Sequence, residues 1–82
     1  MNITFKLFAT LSDYLPGNAV QNAVRLEVER DTAANDLLAR YGVPRQQVQL
    51  VLLNGVYVAE AERDRPLADG DVLAVWPPVA GG

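Results

Sequence analysis

The chain has 82 residues, half of them hydrophobic, with seven basic and ten acidic side chains and a net charge of −3, enough for one domain over residues 1–82 with a modest core. With no cysteine and no histidine, it lacks thiol nucleophiles, disulfides, imidazole bases and the usual zinc ligands. Its one lysine, Lys6, and scattered arginines form no phosphate-neutralising patch, and neither a bilayer-length apolar run nor a signal-peptide pattern appears, so the expectation is a cytoplasmic protein without nucleic-acid or membrane partners.

The first element is a half-buried strand, because Ile3, Phe5 and Leu7 alternate with Asn2, Thr4 and Lys6. The short stretch Leu11 to Leu15 closes on the turn signal Pro16-Gly17. Val24, Leu26 and Val28 then alternate with charged residues as a second strand, forming a hairpin with the first. Asp31 or Thr32 is positioned to cap a helix whose apolar residues Ala34, Leu37, Leu38 and Tyr41 follow the spacing i, i+3, i+4, i+7. Gly42 ends that helix and Pro44 prevents its continuation.

From Val48 to Leu53 the apolar residues are nearly continuous, the pattern of a central strand or one covered on both sides. Asn54-Gly55 is a tight-turn signal leading into Val56-Tyr57-Val58, a second hairpin. Glu60 to Asp64 reads as a polar loop without the turn glycine and convergent ligands of a metal site. Asp69-Gly70-Asp71 is a further turn, and Val72 to Trp76 is the last strand. The order of strand, strand, helix, strand, short strand, strand predicts an α+β fold of the ubiquitin-like β-grasp type, a mixed sheet with one main helix on one face. In that fold the last strand lies parallel to the first and launches the C-terminal tail from the centre of the sheet.

The tail itself reads Pro77-Pro78-Val79-Ala80-Gly81-Gly82. Two prolines remove backbone donors and favour an extended arm that leaves the sheet. The final glycines have no Cβ, so a carboxylate carried there can enter a cleft where no side chain fits. No side chain elsewhere sits in a nucleophile or phosphate-loop motif. An independent catalytic site is therefore not expected, and Ser12 and the tyrosines are assigned no function.

With Lys6-Leu7-Phe8-Ala9 closing the first strand, Pro66-Leu67-Ala68-Asp69-Gly70-Asp71 before the last, and the Pro-Pro-Val-Ala-Gly-Gly ending, the chain resembles the ubiquitin-like sulfur carriers. It is most similar to the small-subunit family of molybdopterin synthase. The resemblance implies that the Gly82 carboxylate is adenylated by a ubiquitin-activating-type adenylyltransferase and converted to a thiocarboxylate. The thiocarboxylate would then deliver sulfur in the active site of the large synthase subunit. It implies that ATP and a sulfur donor are used by the partners and that the chain itself binds no cofactor or metal. Gly81, Ala80, Val79, Pro78 and Pro77 would give the tail its access.

The hairpin Leu52 to Val58 is more similar to that of the thiamine-pathway sulfur carriers. A ubiquitin-like protein modifier would use the same activated Gly-Gly end to form an amide. Phe8 falls on the outward side of its strand and Trp76 stands just before the prolines; either could belong to the core or rim, or to a partner face.

Overall fold

The structure is a computed structural model, which describes residues 1–78. Its strands are β1 (Asn2–Leu7), β2 (Ala23–Glu27), β3 (Leu50–Leu53), β4 (Val56–Tyr57) and β5 (Val72–Trp76), with one α-helix, α1 (Ala34–Arg40). They form a single sheet in the order β2-β1-β5-β3-β4. β1 pairs antiparallel with β2 and parallel with β5, while β3 pairs antiparallel with both β5 and β4. This is the expected β-grasp arrangement, with the last strand in the middle of the sheet.

Alternation decides which face is filled. Ile3, Phe5 and Leu7 from β1, Val24 from β2, Val51 from β3 and Leu73 and Val75 from β5 point to one side, where they meet Ala34, Leu37 and Leu38 of α1 in one core. Burying a side chain of this size contributes roughly 1.5–3 kcal/mol. The Phe5 and Tyr41 rings pack tilted, 5.5 Å apart, so the sheet and the end of the helix are joined by an aromatic contact.

The helix is capped differently from the expectation. Ala33, not Asp31 or Thr32, is its N-cap; with no oxygen on that side chain, the Asp36 carboxylate reaches back to accept the Ala33 N–H at 2.8 Å, one half of a capping box. Thr32 is instead buried, and its carbonyl accepts the Leu67 N–H at 2.8 Å. The helix stops as expected, with Gly42 at φ 73° and the Val43 N–H turned back onto the Leu38 carbonyl.

Three short 3-10 helices, Ala9–Tyr14, Arg45–Gln47 and Glu60–Glu62, fill segments that the sequence pattern leaves as loop. The first tucks Leu11 fully into the core. The β3–β4 connection has Asn54 at φ 52° and Gly55 at φ 82°, the two left-handed residues of a type I′ turn. Among the described residues no helix is long and apolar enough to cross a membrane.

Candidate functional site

The end of β5 is held on both sides up to Trp76. The Phe8 N–H donates to the Val75 carbonyl at 3.1 Å and the Gln49 N–H to the Trp76 carbonyl at 2.9 Å. Pairing stops there because Pro77 and Pro78 have no N–H to offer. The arm therefore starts from a fixed point at the sheet centre, with Pro77 half-buried and Pro78 exposed. Val79, Ala80, Gly81 and Gly82, on which the expected chemistry rests, lie outside the described residues.

Beside this exit the two aromatic candidates come together. The Phe8 and Trp76 rings are stacked, with centroids 4.4 Å apart and planes 6° from parallel. Both are half-buried, so each is a rim residue. Flat stacking gives each ring an apolar neighbour. A double-mutant cycle of Phe8→Ala and Trp76→Ala, read by urea denaturation, is expected to give a coupling of about 0.5–1.5 kcal/mol. Strict additivity would mean that the rings stabilise the exit independently.

The stack stands at one end of the sheet's second face, opposite α1. There the pairing register aligns Leu50 with Trp76, Leu52 with Ala74 and Tyr57 with Leu52. Leu50 and Leu52 are half-buried and Tyr57 is 60% exposed. The apolar run Val48 to Leu53 is thus covered on one side only among the described residues, and of its two readings the central strand is the one that holds, with β3 lying between β5 and β4. A groove of about 740 Å³ opens on this face between Thr10, Leu50, Tyr57, Trp76 and the two prolines. Lys6, Arg25 and Glu27 lie farther across the same face on β1 and β2, so its apolar half adjoins a charged half.

Ala9, on the groove wall, is one of four non-glycine residues with positive φ among the described residues, at 52°. A Cβ in this conformation crowds the following carbonyl. Ala9→Gly relieves that strain against the extra freedom of glycine in the unfolded chain. The expected net gain is about 0.5–1 kcal/mol, seen as a higher urea midpoint at unchanged m.

Among the described residues no group of acidic, histidine or cysteine side chains could hold a metal ion. Glu62 is paired with Arg65, and Asp64 accepts a hydrogen bond from Asn35 at 2.8 Å. The acidic loop is therefore tied into its own surroundings.

Residues 1–81 match the model of the Mut7-C ubiquitin family. No curated protein matches the sequence. Among solved structures, H. volcanii small archaeal modifier protein 1 is 28% identical, with a TM-score of 0.68 and coverage of 95% of this chain and 98% of that one. A putative molybdopterin converting factor subunit 1 from Pyrococcus furiosus is 24% identical, with a TM-score of 0.65 over 95% and 98% of the two chains. The complex of subunits 1 and 2 of the molybdopterin-converting factor from Helicobacter pylori gives 20% identity and a TM-score of 0.59, with both chains covered completely. The last two similarities concern the fold, and they share its ubiquitin-like β-grasp. The chain belongs to the Mut7-C ubiquitin family.

Proposed function

We propose that this Mut7-C ubiquitin family member is a sulfur carrier whose Gly82 carboxylate is the reacting group. Activation by a ubiquitin-activating-type enzyme would join the carboxylate to the AMP portion of ATP and release pyrophosphate. A sulfur donor would then displace AMP and leave a thiocarboxylate. Activation is needed because a bare carboxylate is a poor acyl electrophile, whereas an acyl-adenylate carries a good leaving group. The partner enzymes supply ATP, sulfur and proton transfer, which agrees with a chain that has no histidine and no cysteine.

The observation that carries this reading is the geometry of the exit. A central strand, fixed by neighbours on both sides, ends in two prolines beside an uncovered apolar face, and the sequence beyond narrows to Gly81-Gly82. A partner gripping Leu50, Tyr57 and the Phe8–Trp76 stack would thereby aim the tail into its own active site. The large subunit of molybdopterin synthase is the proposed partner, since this chain shares its fold with subunit 1 of a converting-factor complex. Val79 and Ala80 would offer small apolar contacts along the channel, and Gly81 would give passage.

A second reading is favoured by the 28% identity to a small archaeal modifier over nearly the whole chain. The same activated end would then form an amide with a lysine of a target protein. The Asn54-Gly55 hairpin keeps the thiamine-pathway carrier as a third destination for the sulfur.

The thiocarboxylated protein should be offered in parallel to the large synthase subunit with its pyranopterin precursor and to the thiazole-forming enzyme of the thiamine pathway, and the unmodified protein, with ATP and the activating enzyme, to lysine-bearing acceptor proteins. Dithiolene formation in the first reaction alone is expected. Sulfur delivered only to the thiazole would replace the pathway while keeping the carrier mechanism, and amide products without sulfur transfer would replace the mechanism itself.

A further inference from the structure

On the helix side of the sheet, away from the tail exit, one buried charge has no counterion in the described fold. Arg63 is 8% exposed, one of two polar residues buried to this degree among the described residues. Its Nε–H donates to the Val58 carbonyl at 3.2 Å. The one ion pair among the described residues joins Arg65 to Glu62 and leaves Arg63 out. A guanidinium does not lose its proton in a protein, and the Arg63 Nη groups, which make no hydrogen bond among the described residues yet are not sealed from solvent, are free to donate to an outside anion.

Arg63 borders two hollows. One is a groove of about 400 Å³ lined by Leu53, Leu67 and Leu73, with Ala34 and Val58 on its walls and Glu62 and Arg65 at its margin. The other, of about 60 Å³, adjoins Asn35, Arg45 and Glu60. Only the groove falls within the size range of small-molecule sites. Its lining is mostly apolar, and Arg65 is already engaged by Glu62, so Arg63 is the cation that a ligand there can meet.

We propose that this groove binds a small amphipathic monocarboxylate, its carboxylate on the Arg63 guanidinium and its apolar body over Leu53, Tyr57 and Val58. One planar guanidinium matches one planar carboxylate through paired N–H bonds. A dianionic phosphate is disfavoured, because it asks for a second cation and would approach the Glu62 carboxylate. The site is independent of the tail chemistry, and its test does not involve activation.

The probes are octanoate, 1-octanol as the uncharged analogue and octyl phosphate as the dianion, titrated into the full chain and followed by NMR of leucine and valine methyls and the arginine Nε–H. Octanoate is expected to shift Leu53, Val58 and Arg63 in a saturable manner. Octanol should bind about 10-fold more weakly or worse, the loss expected for a charge-assisted hydrogen bond. Arg63→Met keeps an apolar stem in place and removes the charge. If circular dichroism shows it folded, it should bind the two probes equally.

The wild-type comparison stands whether or not that variant folds. Equal binding of octanol and octanoate to the wild type, tighter binding of octyl phosphate, shifts centred on Leu50 and Trp76, or no saturable shift at all would each overturn the proposal.

Discussion

Removing Gly82 is expected to abolish ATP-dependent activation while leaving the fold untouched. The described sheet pairing ends at Trp76, and truncation six positions later deletes nothing from it. The change in stability should stay within about 0.5 kcal/mol, as for a surface substitution. The chemical effect is of another order. One residue supplies up to about 3.5 Å of reach, and misplacing a reacting atom by about 1 Å can cost a factor of 100. Pyrophosphate exchange with the activating enzyme should therefore fall by at least about 100-fold, with the thermal melt unchanged. Normal exchange by the truncated chain would remove Gly82 from the mechanism. Gly81→Val tests the same tail by bulk instead of length, since a β-branched side chain adds volume and forbids φ > 0.

The largest effect on stability from a single polar side chain is expected at Asn54. Its Oδ1 accepts the Val72 N–H at 2.8 Å and its Nδ2 donates to Asp71 Oδ1 at 2.9 Å, while Asp71 Oδ2 accepts the Ala68 N–H at 2.8 Å. The β3–β4 turn is thereby fastened to the start of β5. Asn54→Ala removes both side-chain bonds and leaves an alanine at φ 52°. The backbone term costs about 1 kcal/mol, and two partly solvated bonds contribute about 0.5–1 kcal/mol each. The total of about 2–3 kcal/mol should appear as a fall of roughly 10–20 °C in Tm for a domain of this size. Asn54→Gly keeps the permitted φ but adds glycine's freedom in the unfolded chain, about 0.5–1 kcal/mol, to the lost bonds, so it should cost about 1.5–3 kcal/mol. Equal losses for the two variants would show that φ strain and glycine freedom cancel at this position.

Those same residues mark how far the sequence could be read. Asn54-Gly55 and Asp69-Gly70-Asp71 were each legible as turns, because left-handed φ selects Asn and Gly. That the two turns hold each other was not, since nothing local encodes a partner 17 or 18 positions away. β1 and β2 were legible from period two, β3 and β5 as short apolar runs bounded by turns, and the helix from Ala34, Leu37, Leu38 and Tyr41. The helix cap was misplaced because Asp31 and Thr32 are good cap residues in isolation, whereas the tertiary bond from Leu67 draws the Thr32 backbone into the fold. The segment Ala9–Tyr14 has too short a period for an apolar pattern, and only the burial of Leu11 explains its coil.

At the candidate site, the nearness of Phe8 to Trp76 followed from placing β1 beside β5, although the stack itself depends on rotamers. The run Val48 to Leu53 left open whether its strand is central or covered on both sides, and β3 is central: hydrophobicity records that a surface is apolar, and it is silent on which chain shields it. The burial of Arg63 was hidden by its polar neighbours Glu60, Glu62, Asp64 and Arg65, which make the whole stretch read as solvated loop.

The parallel pairing of β1 with β5 has a mechanical consequence. β1 enters the sheet at Asn2 and β5 leaves it at Trp76, with Thr4 opposite Val72 and Leu7 opposite Val75. Tension applied between the beginning of β1 and the arm at Pro77 therefore pulls these two strands past one another lengthwise. The bonds from the Thr4 N–H to the Asp71 carbonyl and from the Phe8 N–H to the Val75 carbonyl lie across the pull and are loaded together, where a hairpin opened from its end would yield one bond at a time. β3 adds a second row of bonds on the other flank of β5. A handle attached beyond Pro78 is anchored in shear at the most strongly braced strand of the sheet, so the domain can be towed by that handle without being unravelled from it.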